Sequence, residues 1–203
     1  YGCRIFAIHL PLIFVIGLVF NQNDVIRFAW IMLLFCIPMV VLIVFQSISP
    51  PDHILNVGPG GTGSAAFDGA GGKFRPPGTF SFTTGVASFF TLSMASLMSI
   101  QYGRSRSAIS NVKKTPLLQL CGYILCLIAA LAIVIAQPVS ISRALLANYM
   151  IVILSTFVVL MVSRSQVVSL FSGLLILALL LGIATTIPAV NEASKAFALR
   201  WEL

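Results

Sequence analysis

Lys73 to Gly85, KFRPPGTFSFTTG, joins a Gly/Pro-rich polar loop to a long apolar run. Pro76, Pro77 and Gly78 do not readily continue or open a helix, so the next helix is predicted to begin near Thr79 or Ser81, whose hydroxyls can cap free N–H groups. Arg75 then stands just outside a helix N-terminus. The macrodipole makes a cation there mildly unfavourable, whereas an anion would be held by the guanidinium and the exposed amides together. The stretch therefore predicts a membrane helix with an anion site at its mouth.

Composition sets the class. The chain has 203 residues, 59% of them hydrophobic and 8% charged, with a mean hydropathy of +1.05. Soluble domains carry charge on roughly a quarter of their residues, so the expected fold is an all-α, polytopic transmembrane helix bundle. Net charge is +7 and the pI is near 9.7, but the twelve Lys and Arg are scattered over span ends, which fits membrane orientation and not nucleic acid. Cys3, Cys36, Cys121 and Cys126 fall in or beside apolar runs, where a thiol packs as a small hydrophobe, and no disulfide framework or metal spacing is visible. The chain opens on Tyr1 with no charged n-region and no small-residue cleavage site, so no signal peptide is expected and the sequence reads as part of a longer protein.

A helix needs roughly 20 apolar residues to cross a bilayer. Six runs approach that length, near 5–20, 25–48, 80–101, 116–136, 144–163 and 167–187. Asn23 or Asp24 can cap the second, and Thr115 followed by Pro116 marks the start of the fourth. Residues 49–79 carry five of the ten prolines and eight of the fifteen glycines, which reads as an extramembrane loop. A phosphate-loop reading fails, because Phe67 stands at the first Gly position and Phe74 follows Lys73. In the third span Thr84, Ser88, Thr91, Ala95 and Ser99 recur every three or four residues and predict a close-packing seam.

Residues 102–115 hold Arg104, Arg106, Lys113 and Lys114 and no acid, so this short loop is predicted to be cytoplasmic. Alternation then puts the 49–79 loop, the 137–143 connection and the 188–203 tail outside. Arg143 lies in PVSISRALLANYM, where Pro138 breaks one span and Ser140 or Ser142 can cap the next. Arg75 and Arg143 thus both meet outward-facing helix starts. Two forked guanidiniums suit one diphosphate; the plain alternative is that each snorkels separately to lipid phosphates.

The order FRPPGTFSFTTG, small-residue span, basic cytoplasmic loop, span and VSISRALLA, over residues 73–150, resembles the O-antigen ligase and O-antigen polymerase superfamily of bacterial envelope proteins. That family often shows Arg before Gly-Thr-Phe, and later Ser-Arg-Gly-Ala opening a span; here Ala144 replaces the glycine, and Thr83-Thr84 stands where polymerase-like members have Asn-Pro. The resemblance implies a multi-pass enzyme of the bacterial inner membrane, free of metal and cofactor, that moves a glycan from an undecaprenyl diphosphate carrier to a glycan or lipid acceptor. Arg75 and Arg143 would then hold the donor diphosphate and steady the leaving group's charge, with Thr79 and Ser142 shaping the two helix ends.

Family members are about twice as long, with a large outer loop after the sixth span carrying further arginines and the base. The tail VNEASKAFALRWEL would open that loop, with Arg200 a third phosphate contact, or else lie as an amphipathic segment on the membrane. His53 beside Asp52 is a candidate general base, although lone loop histidines commonly carry no chemistry; His9 reads as a packed or interfacial residue. A transporter is the competing class, but apart from His9 the six spans hold no ionisable residue between their ends. A non-catalytic scaffold fits every span but leaves the outer arginines without a role.

Overall fold

The computed structural model describes residues 14–50, 53–56, 75–107, 116–163, 182, 186 and 188–199. Among them the regular structure is helical throughout, with no strand. Residues 14–19 form a short helical piece, followed by α1 (Gln22–Ile48), α2 (Thr83–Ser107), α3 (Pro116–Val139), α4 (Arg143–Ser163) and α5 (Pro188–Leu199). Four of these, Gln22–Ile48 and the stretches Thr83–Gln101, Gln119–Val139 and Arg143–Met161, are long and apolar enough to cross a membrane. The chain is a helical membrane protein. The run at 167–187 lies almost wholly outside the described residues, and of the run at 5–20 only residues 14–20 are described.

The apolar residues divide between inside and outside as a bilayer allows. Leu33, Cys36 and Ile43 of α1, Val86, Phe90 and Met94 of α2, Ala129, Ile133 and Ala136 of α3, and Leu145 of α4 form one buried core. Leu34, Phe45, Leu117, Ile151 and Leu154 are equally apolar and exposed, the arrangement expected of side chains that face lipid. α1 packs on both α2 and α3, α2 also packs on α4, and α5 packs on α3.

The helix ends sort into two sets. A hydrogen bond from Gln46 near the end of α1 to Gly78, just before α2, puts those two ends together. α2 has 25 residues, a length of ~37 Å. The eight residues between Ser107 and Pro116 reach at most ~30 Å, so α3 runs back antiparallel to α2. Only residues 140–142 separate α3 from α4. The C-termini of α1 and α3 and the N-termini of α2 and α4 therefore share one end.

Several sequence expectations are corrected. α1 starts at Gln22 with Asn21 as its N-cap, one turn ahead of Asp24, whose carboxylate accepts the Asn21 N–H at 3.1 Å. α2 starts at Thr83, later than Thr79 or Ser81, because Gly78 and Thr79 form a turn in which the Phe80 N–H bonds the Pro77 carbonyl at 3.1 Å. Its far end runs to Ser107, so Arg104 and Arg106 stand on the helix and not in a loop; cations at a helix C-terminus complement the dipole.

The Thr84/Ser88/Thr91/Ala95/Ser99 stripe is not the packed face. Thr84, Ser88 and Ser99 are exposed, while Val86, Phe90, Ser93, Met94 and Leu97 are buried. The Thr91 and Ser99 hydroxyls bond their own helix, to the Ala87 carbonyl at 2.7 Å and the Ala95 carbonyl at 2.8 Å, and so need no partner across a seam. In the tail, residues 188–199 form α5, whose Val190, Ala193 and Ala196 are buried, with α3 as its packing partner. Small residues three apart let the two helices approach closely, which a tail lying loose on the membrane would not do.

Candidate functional site

The shared end of α1, α2, α3 and α4 carries two polar shoulders. The first is built by the end of α1. Gln46 is 2% exposed, and an amide so buried must find partners. Its Nε2 donates to the Leu55 carbonyl at 2.8 Å and the Gly78 carbonyl at 3.0 Å, and its Oε1 accepts the Gly78 N–H at 2.8 Å. Beside it Asn56, 1% exposed, donates from Nδ2 to the carbonyls of Gln46, Ser49 and Pro50 at 3.1, 3.3 and 2.9 Å. The two amides lock residues 53–56 and 75–78 onto the end of α1.

Gly78 is suited to that position twice over. Its φ is +63°, and a Cβ there would lie 2.9 Å from Met39 Sδ and 3.1 Å from Val86 Cγ2. The preceding Pro76 and Pro77 are buried, leaving Arg75 half-buried at the edge with its Nε covered. Downstream, Phe80 lies over Gly85, where an added Cβ would come within 2.6 Å of Phe80 Cβ. The Phe80 ring meets Phe89 at 6.2 Å, and Phe89 meets Phe90 edge-on at 5.4 Å.

The second shoulder is the elbow between α3 and α4. Pro138 stands in the last turn of α3. Ser140 donates from Oγ to the Gln137 carbonyl at 3.1 Å, and Ser142 Oγ accepts the Leu145 N–H at 3.3 Å, capping α4. Between them Ile141 is 1% exposed with φ +47°, a left-handed conformation that a β-branched residue adopts only under strain. Arg143, the first residue of α4, is exposed. Both side-chain polar atoms of Gln137 are buried with no hydrogen-bond partner, a cost of about 1–3 kcal/mol for each orphaned group.

The sequence-predicted site residues therefore separate. Arg143 opens α4, whereas Arg75 lies eight residues before the start of α2, on the segment held to the end of α1; α2 and α4 pack in parallel, so both arginines lie at the same end of the bundle. Ser142 caps its helix. Thr79 does not cap α2; it is exposed in the turn four residues upstream of the helix start. His53 is exposed and its Nδ1 accepts the Leu55 N–H at 3.3 Å, so one ring nitrogen is engaged in the turn. Arg200 and Asp52 lie outside the described residues. Among the described residues no three His, Cys, Asp or Glu side chains gather to hold a metal.

Sequence reasoning missed Gln46, Asn56 and Gln137. Each is a neutral amide at the end of an apolar run or in a loop, positions where polar residues are ordinary, so nothing in the pattern separates them from solvated neighbours. Compared with protein-family models, curated proteins and solved structures, the chain gives no match. Its class, a polytopic α-helical membrane protein with two polar shoulders at one end, rests on fold and composition.

Proposed function

We propose that this chain is a membrane glycosyltransferase of the O-antigen ligase or polymerase kind, transferring a glycan from an undecaprenyl diphosphate carrier to a glycan or lipid acceptor at the outer face of a bacterial inner membrane. In this reading the bundle has six spans, and the Gly/Pro-rich segment 49–79 is extracytoplasmic. The observation that carries it is the placement of Arg143 at the first residue of α4 and of Arg75 on the segment leading into α2, a helix packed parallel to α4. Gln46 anchors the segment bearing Arg75 through Gly78, and Ser142 fixes the helix start bearing Arg143. A diphosphate between them would meet two guanidiniums and the amides at the start of α4. As the glycosidic bond breaks, that array would steady the charge gathering on the departing diphosphate.

The experiment is conservative replacement. Arg75→Lys and Arg143→Lys keep the charge but lose the forked, bidentate grip. Each should insert as wild type does, bind undecaprenyl diphosphate in nanodiscs at least about tenfold more weakly, and abolish surface polysaccharide assembly in cells. Wild-type binding and normal polysaccharide with both variants would remove the assignment.

A further inference from the structure

The described residues leave one side-chain amide wholly unsatisfied at the shared end. Gln137 sits in the last turn of α3, its Nε2 and Oε1 both buried and without a hydrogen-bond partner. It flanks the elbow of residues 140–142 on one side while Arg143 flanks it on the other. The elbow itself is held in a costly form, with Ile141 left-handed and buried and Ser140 bonded back onto the Gln137 carbonyl. Packing alone would favour an apolar residue at 137, since a buried amide without partners is worse than a hydrocarbon of the same shape.

We infer that the Gln137 amide is a binding group for a neutral, hydroxyl-bearing ligand, the sugar ring attached to the diphosphate held by Arg143. The chemistry of the amide selects this class. A phosphate oxygen would accept from Nε2 but face the lone pairs of Oε1, and a cation would meet Oε1 but be opposed by the Nε2 hydrogens. Neighbouring hydroxyls of a sugar both donate and accept, and so satisfy the two ends together. This assignment rests on the diphosphate reading above and deepens it, adding recognition of what the carrier bears.

The test compares two ligands on the full chain in phosphatidylcholine nanodiscs: undecaprenyl diphosphate, and the same carrier bearing N-acetylglucosamine. Wild type should hold the glycosylated form about tenfold more tightly. Gln137→Met, similar in shape, should hold both forms equally, at the wild-type affinity for the bare carrier. Independently of any variant, the side-chain amide resonances of Gln137 should shift with the glycosylated carrier and not with the bare one.

Equal wild-type binding of both forms, as expected if water alone meets the amide, overturns this inference and leaves the diphosphate reading standing. Retention of the preference in Gln137→Met overturns it in the same way. Phosphatidylglycerol offers adjacent hydroxyls from the lipid itself. If exchanging phosphatidylcholine for it moves the Gln137 resonances as the glycosylated carrier does, the occupant is a headgroup and the glycosyl assignment falls. Binding of neither form removes the diphosphate reading and this one with it.

Discussion

Gln46 holds Gly78 by both ends of its amide: Oε1 accepts the Gly78 N–H at 2.8 Å, and Nε2 donates to the Gly78 carbonyl at 3.0 Å. The same Nε2 reaches the Leu55 carbonyl, so one side chain serves two loop segments thirty-two and nine residues away along the chain. Replacing it by leucine leaves the Gly78 N–H and two carbonyls without partners in a buried place. Gln46→Leu should lower stability by about 2–3 kcal/mol, read from thermal unfolding in detergent. Hydrogen exchange should rise at residues 75–82 before it rises in the helices; uniform exchange across the bundle would show that Gln46 is an ordinary packing residue.

Gly78 tests the same joint from the other side. Gly78→Ala imposes a left-handed alanine, about 1 kcal/mol, and a contact with Met39 Sδ at 2.9 Å and Val86 Cγ2 at 3.1 Å. Met39 can swing away and the branched Val86 cannot, so the total loss should be about 2–3 kcal/mol. Adding Met39→Ala should not recover the backbone part. Full recovery in the double variant would mean that sterics alone set the glycine.

At Gly85 the sign depends on a partner. The residue lies in the first turn of α2, and a Cβ there would meet the Phe80 side chain at 2.6 Å. Gly85→Ala alone should destabilise by about 1–3 kcal/mol. In a Phe80→Gly background, which also removes the Phe80 Cβ, the obstruction is gone and only helix propensity remains, so the same change should stabilise by up to about 1 kcal/mol. A double-mutant cycle in unfolding free energy measures this reversal.

The serine and threonine positions of α2 divide by environment. Thr91 bonds the Ala87 carbonyl of its own helix at 2.7 Å, so Thr91→Val should change stability by less than about 0.5 kcal/mol. Ser93 is fully buried, bonded to the Phe89 carbonyl of its own helix at 2.9 Å and set against Cys36 of α1. Ser93→Val should cost about 1–3 kcal/mol through overpacking between α1 and α2. Equal effects at the two positions, measured by unfolding in mixed micelles, would contradict the assigned helix face.

That division also marks what the sequence could disclose. Apolar run length located all four described spans, and Pro116, Pro138 and the Ser140/Ser142 pair, of which Ser142 is the cap, marked their ends, since those signals are local: a missing N–H, a capping hydroxyl. The rotation of α2 was not legible. Its small-residue stripe and its Val86/Phe90/Met94/Leu97 face are both plausible in lipid, where hydrophobicity does not distinguish a packed side from an exposed one. Nor was the clamp on the loop legible, because Gln46 and Gly78 are brought together only by α1 and α2 packing antiparallel.

Ile141 sets two effects against each other. Its side chain is 1% exposed while its φ is +47°, so burial favours isoleucine and the backbone opposes it. Truncation to alanine should cost about 2–4 kcal/mol of packing while keeping a Cβ in the left-handed region. Glycine loses the same packing but relieves the backbone by about 1–2 kcal/mol, which offsets its extra unfolded-state entropy of about 0.5–1 kcal/mol. Ile141→Gly should therefore be no less stable than Ile141→Ala. At Ala136, inside α3 and fully buried, Ala136→Gly should cost the ordinary ~1 kcal/mol. If glycine is the worse substitution at Ile141 by that same margin in equilibrium unfolding, the elbow between α3 and α4 carries no backbone strain.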